Sequence, residues 1–179
     1  MNLFFLDFDP KKCAEYHCDK HVVKMILELC QLMYTAHRSL GSDIPEDGYR
    51  SFNPQHPTCI WVRSSVENYV YTFKVCKYLC EEYTHRYFRI HKCESHLSFL
   101  ETVPCFEGLK QNYKVDQVFS SNKHFENNGN TPIPLAMPIE YTRKDTIQSY
   151  RNYYKSKKRF VQWTNRPVPS WFTFVNIFR

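Results

Sequence analysis

Four side chains that could do chemistry recur at short spacings within HCDKHVVKMILE, residues 17–28. They are His17, His21, Lys24 and Glu28. At about 100° per residue of a helix, they fall in one narrow band beside the apolar face. Side chains at such an edge are half-buried, where the surroundings shift pKa values and clefts form. The spacing predicts an active-site edge. The alternative is a set of polar residues that only satisfy one another.

A metal site is the first chemistry to weigh, because histidines at i and i+4 can bind zinc on a helix. No glutamate directly follows His17, however, and Lys24 would repel a cation one turn beyond His21. The candidates for a third ligand have no supporting spacing: Asp19, His56 and Cys18. A metal-dependent enzyme using His17 and His21 is therefore a minority hypothesis, and we expect neither a bound metal nor another cofactor.

Amine chemistry at Lys24 is the second alternative. A lysine desolvated at the edge of a core has a lowered pKa and can attack a carbon to form a Schiff base. Glu28, one turn further on, would then be the general acid and base or would orient the ammonium group. The competing interpretation is an ion pair between positions i and i+4, worth roughly 0.2–0.5 kcal/mol. The residues alone leave both alternatives open.

A second pattern places Arg151, Lys155 and Lys158 on one side of a later helix, with tyrosines between them. Like charges at i and i+4 cost stability unless an anion bridges them, and phosphate is the natural bridge. Tyrosines interleaved with cations are typical of surfaces that follow a nucleic-acid backbone. The pattern predicts phosphate contacts, and a solvated basic face is the alternative.

Further nucleic-acid contacts are predicted around the start of the second helix and near the end of the chain. Trp61 either packs in the core or stacks on a base, and Arg63 either contacts DNA or pairs with Glu67. Arg166, in TNRPVPSW, is assigned to the same DNA-facing group.

Helical periodicity accounts for the elements that would position these residues. Asp9 and Pro10 start a first helix that runs to about residue 39, with an early bend or split, and a second runs from Pro57 to about residue 90. Asp145 caps a third helix. Residues 92–143 form a loop-rich insertion with a short helix at SHLSFLETV, and an aromatic tail packs back on the core. We predict an all-α fold of about three main helices in a single domain spanning residues 1–179.

Composition adds only a slight preference for nucleic acid. The net charge is +6, from 24 Lys and Arg against 18 Asp and Glu, and aromatic residues make up 17%. Basic residues mixed with aromatic ones suit phosphate neutralisation and base stacking. No stretch is apolar enough to predict a membrane span, and the short apolar start lacks the features of a signal peptide. Eight cysteines without a CxxC pair favour reduced thiols and an intracellular location.

Three segments together resemble the pyrimidine-dimer DNA glycosylase/AP lyase family of the phage endonuclease V type. The segments are AEYHCDKHVVKMILE in the first helix, the HP turn with the long helix after it, and SYRNYYKSKKRFVQWTNRPVPSWF. They cover about half of the chain and occur in the family's order. The sequence is also similar to uncharacterised phage and large-virus proteins.

The resemblance implies an enzyme that bends double-stranded DNA and flips a nucleotide out of the stack. In that family the N-terminal α-amine attacks the sugar C1′, and the resulting imine permits β-elimination. A first-helix glutamate supports this chemistry. Carried over to this chain, His17 matches the family's first-helix histidine, and Arg151 with Lys155 matches its pair of phosphate contacts.

The departures from the family pattern concern the catalytic groups. Lys24 stands where the glutamate is expected, and Glu28 follows one turn later. The bulk of Asn2 leaves Met1 in place, so the usual N-terminal residue is not assured. Either the nucleophile has moved, with Lys24 as the candidate, or the protein binds nucleic acid without catalysis. The insertion at residues 92–140 has no counterpart in the family pattern.

Overall fold

The computed structural model describes residues 3–107, 119–120, 122–156 and 161–172. Within them the protein is helical, as predicted, and its three longest helices are Asp19–Ser39, Val66–Tyr87 and Thr146–Ser156. Residues 3–6 are buried and form no strand, so this segment lies in the core without a strand partner among the described residues.

The first predicted helix is split, as its sequence suggested. α1 spans Pro10–Glu15, and Asp9 caps it by accepting a hydrogen bond from the Lys12 amide at 2.9 Å. The chain then turns before α2, Asp19–Ser39, and Gly41 follows that helix with a φ of +75°. This left-handed conformation is one that glycine adopts without strain, which explains the stop.

The second predicted helix is also split, and here the prediction of one continuous helix from Pro57 to about residue 90 is wrong. α3 spans Pro57–Val62 and α4 spans Val66–Tyr87. Between them Ser65 is extended, and its hydroxyl accepts a hydrogen bond from the Asn68 amide at 3.1 Å. A serine N-cap satisfies an amide that lacks a partner at a helix start, so the chain begins a new helix here.

Short elements follow in the loop-rich region: a 3₁₀ helix (Lys92–His96), α5 (Leu97–Leu100), β1 (Phe119–Ser120), α6 (Lys123–Glu126), β2 (Ile133–Pro134) and a second 3₁₀ helix (Ile139–Tyr141). The two short strands pair antiparallel, with Phe119 opposite Pro134. The short helix predicted at SHLSFLETV is confirmed by the first two of these elements.

The third predicted helix is confirmed as α7, Thr146–Ser156, with the Asp145 carboxylate accepting from the Gln148 amide at 2.6 Å. Tyr150 and Tyr154 point inward and are fully buried. The tail packs back on the core as far as residue 172. Trp163 and Phe172 are both buried there, with their ring centroids 4.9 Å apart.

One cluster of buried side chains joins the N-terminal segment, α1, α2 and α4 to α7 and the tail. All eight cysteines are unpaired thiols, and seven of them are buried. Cys76 and Cys80 thus pack as small apolar residues, as predicted. No helix in the described ranges is both long and apolar enough to cross a membrane.

Candidate active site

An open cleft of about 640 Å³ lies beside α2, and we call it the α2 cleft. One wall is a face of that helix. The others come from the loop before α3 and from the start of the first 3₁₀ helix. The residues that matter below are Lys24, Glu28, Tyr49, Phe52, His91 and Lys92, and the whole lining falls between residues 23 and 93.

Lys24 and Glu28 form an ion pair in the wall of the cleft, with Nζ and Oε1 3.1 Å apart. The Lys24 side chain is 69% exposed, whereas that of Glu28 is 13% exposed. The expectation of a desolvated Lys24 is therefore wrong, because the helix edge at this position opens onto the cleft rather than onto the core. An amine and a carboxylate nevertheless stand side by side where a ligand could reach both.

Phe52 supplies an accessible aromatic ring to the same cleft and is 50% exposed. Its amide donates to the Thr35 hydroxyl of α2 at 3.2 Å, which fixes the loop against the helix. Tyr49 comes from the same loop, and its hydroxyl lies 3.2 Å from the Cys93 thiol. Burial raises the pKa of Tyr49, so this phenol stays neutral. The cleft therefore combines charged groups with flat aromatic surface.

Two histidines border this region, and both have a pKa below the ordinary value. Burial lowers the pKa of His91, and a hydrogen bond to the Val23 backbone offsets part of that effect. Burial also lowers the pKa of His56; the charge of the amino terminus lowers it further, and the Glu28 carboxylate raises it. Both imidazoles are therefore biased towards the neutral form, in which one ring nitrogen can accept a proton.

His17 and His21 lie apart from Lys24 and Glu28, in the core. His17 precedes α2, and its Nδ1 lies 2.7 Å from the Cys13 carbonyl. His21 stacks on Phe4 at 4.9 Å, and the Tyr154 ring meets it edge-on. The predicted single band is therefore wrong. His17 leaves it because the turn between α1 and α2 breaks the helical spacing, and His21 shares α2 with Lys24 and Glu28 but packs on Phe4 and Tyr154 instead of lining the cleft. Neither histidine lines the α2 cleft.

The geometry offers no support for the metal-dependent alternative. The described residues hold no group of three or more histidine, cysteine, aspartate or glutamate side chains arranged to bind a metal ion. His17 and His21 pack instead against aromatic rings.

Arg151 is engaged within the protein. Its guanidinium donates to the Leu6 carbonyl at 2.9 Å and to Asp7 at 3.3 Å. It also lies over the Tyr16 and Trp171 rings, at 5.4 and 5.0 Å from their centroids. The anion paired with Arg151 is therefore the Asp7 carboxylate and not the DNA phosphate that was predicted. Lys155 is partly exposed on the same helix, and Lys158 lies outside the described residues.

The other predicted DNA contacts also have internal partners. Trp61 is fully buried, and its indole N–H donates to the Thr131 carbonyl at 3.1 Å, which favours the core alternative over base stacking. Arg63 donates to the Pro54 carbonyl at 2.6 Å. Arg166 donates to both oxygens of Glu82. In this conformation none of these three presents all of its donors to a ligand.

The family model for pyrimidine dimer DNA glycosylases matches residues 1–94. That segment is more than half of the 179 residues. The chain belongs to this family. No curated protein and no solved structure matches it. The pyrimidine dimer DNA glycosylase segment contains the complete lining of the α2 cleft, because that lining ends at residue 93.

The part of the α2 cleft that lies outside α2 was not predicted from the sequence. Phe52, Tyr49 and His91 come from segments that the fold brings to the helix across long sequence separations. An exposed phenylalanine beside an Asn-Pro turn was the only local signal, and it does not by itself indicate a site. Periodicity reports on one helix at a time and carries no information about such neighbours.

Proposed function

We propose that the protein is a glycosylase with AP-lyase activity that removes a damaged or modified pyrimidine from double-stranded DNA in the α2 cleft. The observation that carries the proposal is the juxtaposition of the Lys24 amine and the Glu28 carboxylate, 3.1 Å apart, in a cleft that lies within the family-matched segment. An amine and a carboxylate are the two groups that imine-forming base excision requires.

The chemistry proceeds in three balanced steps. Glu28 takes a proton from the Lys24 ammonium group, and the resulting amine attacks C1′ of the sugar. The bond from C1′ to the base breaks, and the base leaves with the bonding electrons and receives that proton from Glu28. Loss of an amine proton and opening of the sugar ring give an imine. Glu28 then removes a proton from C2′, the 3′ phosphate is expelled, and water hydrolyses the imine to restore the amine.

The amino terminus is the other candidate nucleophile. Residues 1 and 2 lie outside the described part of the chain, so this candidate rests on the family resemblance alone. In either case Glu28 is the acid and base, and Phe52 offers its exposed ring for stacking against the extruded base. His91 and Lys92 border the same space.

Borohydride trapping tests the proposal. The protein is mixed with duplexes that contain an abasic site, a thymine dimer or a modified pyrimidine, and the trapped peptide is mapped. We expect an adduct at Lys24 that Lys24→Arg abolishes and that Lys77→Arg, on the exposed side of α4, leaves intact. An adduct at the amino terminus would assign the nucleophile to that amine. Glu28→Gln should slow strand cleavage by at least about 100-fold while DNA is still bound.

A non-catalytic DNA-binding protein is the second candidate, and the exposed Lys24–Glu28 ion pair favours it. Solvent-exposed pairs of this kind occur on many helices without any role in chemistry. This alternative predicts salt-dependent binding to duplex DNA together with neither an adduct nor strand cleavage on any of the three substrates. That combination would overturn the enzymatic proposal.

A further inference from the structure

Helix α4 ends at a residue that is unfavourable in two ways. Phe88 follows the helix with φ 54° and ψ 35°, the left-handed conformation in which glycine is the usual residue. A side chain with a Cβ atom is strained there. Its ring is also 84% exposed, so it gains almost no burial in return. Glycine would suit the fold better at this position.

Ile90, two residues later, is 75% exposed. Phe88 and Ile90 are the two most exposed large apolar side chains in the described part of the chain. Exposed Arg89 stands between them, and exposed Lys92 follows. The segment therefore presents two apolar side chains flanked by positive charge.

The backbone of this segment is fixed from both sides. The Phe88 amide donates to the Thr84 carbonyl at 2.8 Å, and the Thr84 hydroxyl donates to the Arg89 carbonyl at 3.1 Å. His91 accepts from the Cys93 amide at 3.1 Å, and its ring packs on Tyr83 with centroids 4.9 Å apart. The apolar side chains are thus held outward before any partner arrives, which lowers the entropy lost on binding.

The segment also adjoins the α2 cleft. His91 and Lys92 line that cleft, and Ile90 directly precedes them. Three Cα steps separate Phe88 from His91, so these two Cα atoms lie within about 11 Å. This separation is of the size of a few stacked base pairs, which places the exposed pair beside any nucleotide that enters the cleft.

We propose that Phe88 and Ile90 form a wedge that inserts into the base stack of double-stranded DNA next to the nucleotide extruded into the α2 cleft. Arg89 and Lys92 contact the flanking phosphates. Apolar side chains inserted between base steps unstack and kink DNA, and nearby cations hold the backbone. The inference rests on the proposed function, because it takes the cleft to receive a nucleotide. The positive flanks favour DNA over a second protein as the occupant.

The test uses duplexes with 2-aminopurine beside an abasic-site analogue, since fluorescence of this base rises when it unstacks. Wild-type protein should raise the signal, and the double variant Phe88→Gly with Ile90→Ser should not. The same variant should bind the duplex about 10- to 100-fold more weakly. Ile139→Ser is the matched control, because Ile139 is 70% exposed and does not line the cleft. Phe88→Leu should restore most of the signal.

A thermal melt separates a wedge from a structural role. Phe88→Gly relieves the left-handed strain, so the variant should melt about 2–4 °C higher than wild type while it loses base unstacking. A lower melting temperature together with lost unstacking would indicate that Phe88 supports the fold, and would overturn the wedge.

Borohydride trapping on single-stranded and duplex abasic DNA distinguishes this inference from the proposed function. If both hold, wild type and the wedge variant are trapped equally on single strands, and only the variant fails on duplexes. Equal trapping and equal fluorescence on duplexes would overturn the wedge and leave the enzyme in place. Fluorescence that depends on the wedge, with no trapping of wild type on either substrate, would support the wedge and overturn the enzyme.

Discussion

Arg86 donates two hydrogen bonds to Glu82 Oε2, at 3.0 and 2.9 Å, from a side chain with no solvent exposure. Its other donors reach Asp19 at 3.0 Å and the carbonyls of His17 and Glu15 at 2.8 and 3.0 Å. All five N–H donors of the guanidinium are thereby used. This one side chain joins α4 to the turn that precedes α2.

Replacing Arg86 by alanine should lower the free energy of unfolding by about 3–5 kcal/mol, because buried carbonyls and carboxylates lose their donors. Urea unfolding measures this change. Arg50→Ala, at an exposed position, is the control and should stay within about 0.5 kcal/mol of wild type. A loss below about 1 kcal/mol for Arg86→Ala would contradict the role assigned to the network.

Stability should fall when the pH drops below about 6.5, and His37 should contribute to the loss. Burial lowers the pKa of His37 from its ordinary value of 6.5, and burial acts in the same direction on His56 and His91. Between the folded and unfolded pKa values the unfolded chain binds more protons, so acid favours unfolding in that window. Above about pH 7 these histidines are neutral in both the folded and the unfolded chain, so their contribution to stability no longer changes with pH.

Melting temperatures measured from pH 8 to pH 5 test this dependence. His37→Gln keeps a side chain that can hydrogen-bond to Tyr69 but does not titrate, and it should show a shallower decline than wild type. A decline of unchanged slope in that variant would assign the effect to other groups.

Arg151 and Lys155 should respond differently to substitution, although both were predicted to contact phosphate. Arg151→Ala should destabilise the fold by about 1–3 kcal/mol, because it leaves the Leu6 carbonyl and Asp7 without their donor. Lys155→Ala should leave stability nearly unchanged and should reduce the salt dependence of DNA binding by about one phosphate contact. Binding isotherms at several salt concentrations separate the two. A reduced slope for Arg151→Ala at unchanged stability would restore its predicted phosphate contact.

Phe52→Ala should weaken binding of DNA that carries an extruded base by about 10- to 100-fold, since one stacking surface is lost. The ring is half exposed, so the melting temperature should change little. Phe52→Tyr keeps the ring and should bind like wild type. Equal affinity of the alanine variant and wild type would place the extruded base elsewhere.

The sequence was sufficient to predict helix starts and buried helix faces, which depend on residues close together in the chain. Asp9 with Pro10, and Asp145, mark helix starts through side chains that accept amide hydrogens within three residues. Apolar spacing of three and four then identified the buried face of α2 and the inward tyrosines of α7. These signals depend on near neighbours alone and are therefore readable one segment at a time.

The predictions that failed have other origins, and only one of them depends on residues far apart in the sequence. The apolar spacing continues past Ser65 without a break and so predicted one helix there. A new helix begins at this residue because its hydroxyl accepts an amide hydrogen in place of the helical hydrogen bond. His17 leaves the predicted band because the chain turns just after α1. Arg151 meets Asp7, which is 144 residues away in the chain. Contacts at such separations follow from packing and have no local signature.

The turn ahead of α2 is held by residues near the other end of the chain. The Cys18 amide donates to the Tyr154 hydroxyl at 2.8 Å, the Asp19 amide to the Gln162 carbonyl at 2.9 Å, and the Thr164 hydroxyl to Asp19 at 2.7 Å. A ribosome therefore makes the whole cleft lining, which ends at residue 93, well before it makes the residues that hold this turn. Until α7 docks, a nascent chain carries Lys24 and Glu28 on a helix whose preceding turn lacks these contacts. We expect DNA-directed activity to be acquired only after residues 154–164 have been made and have docked.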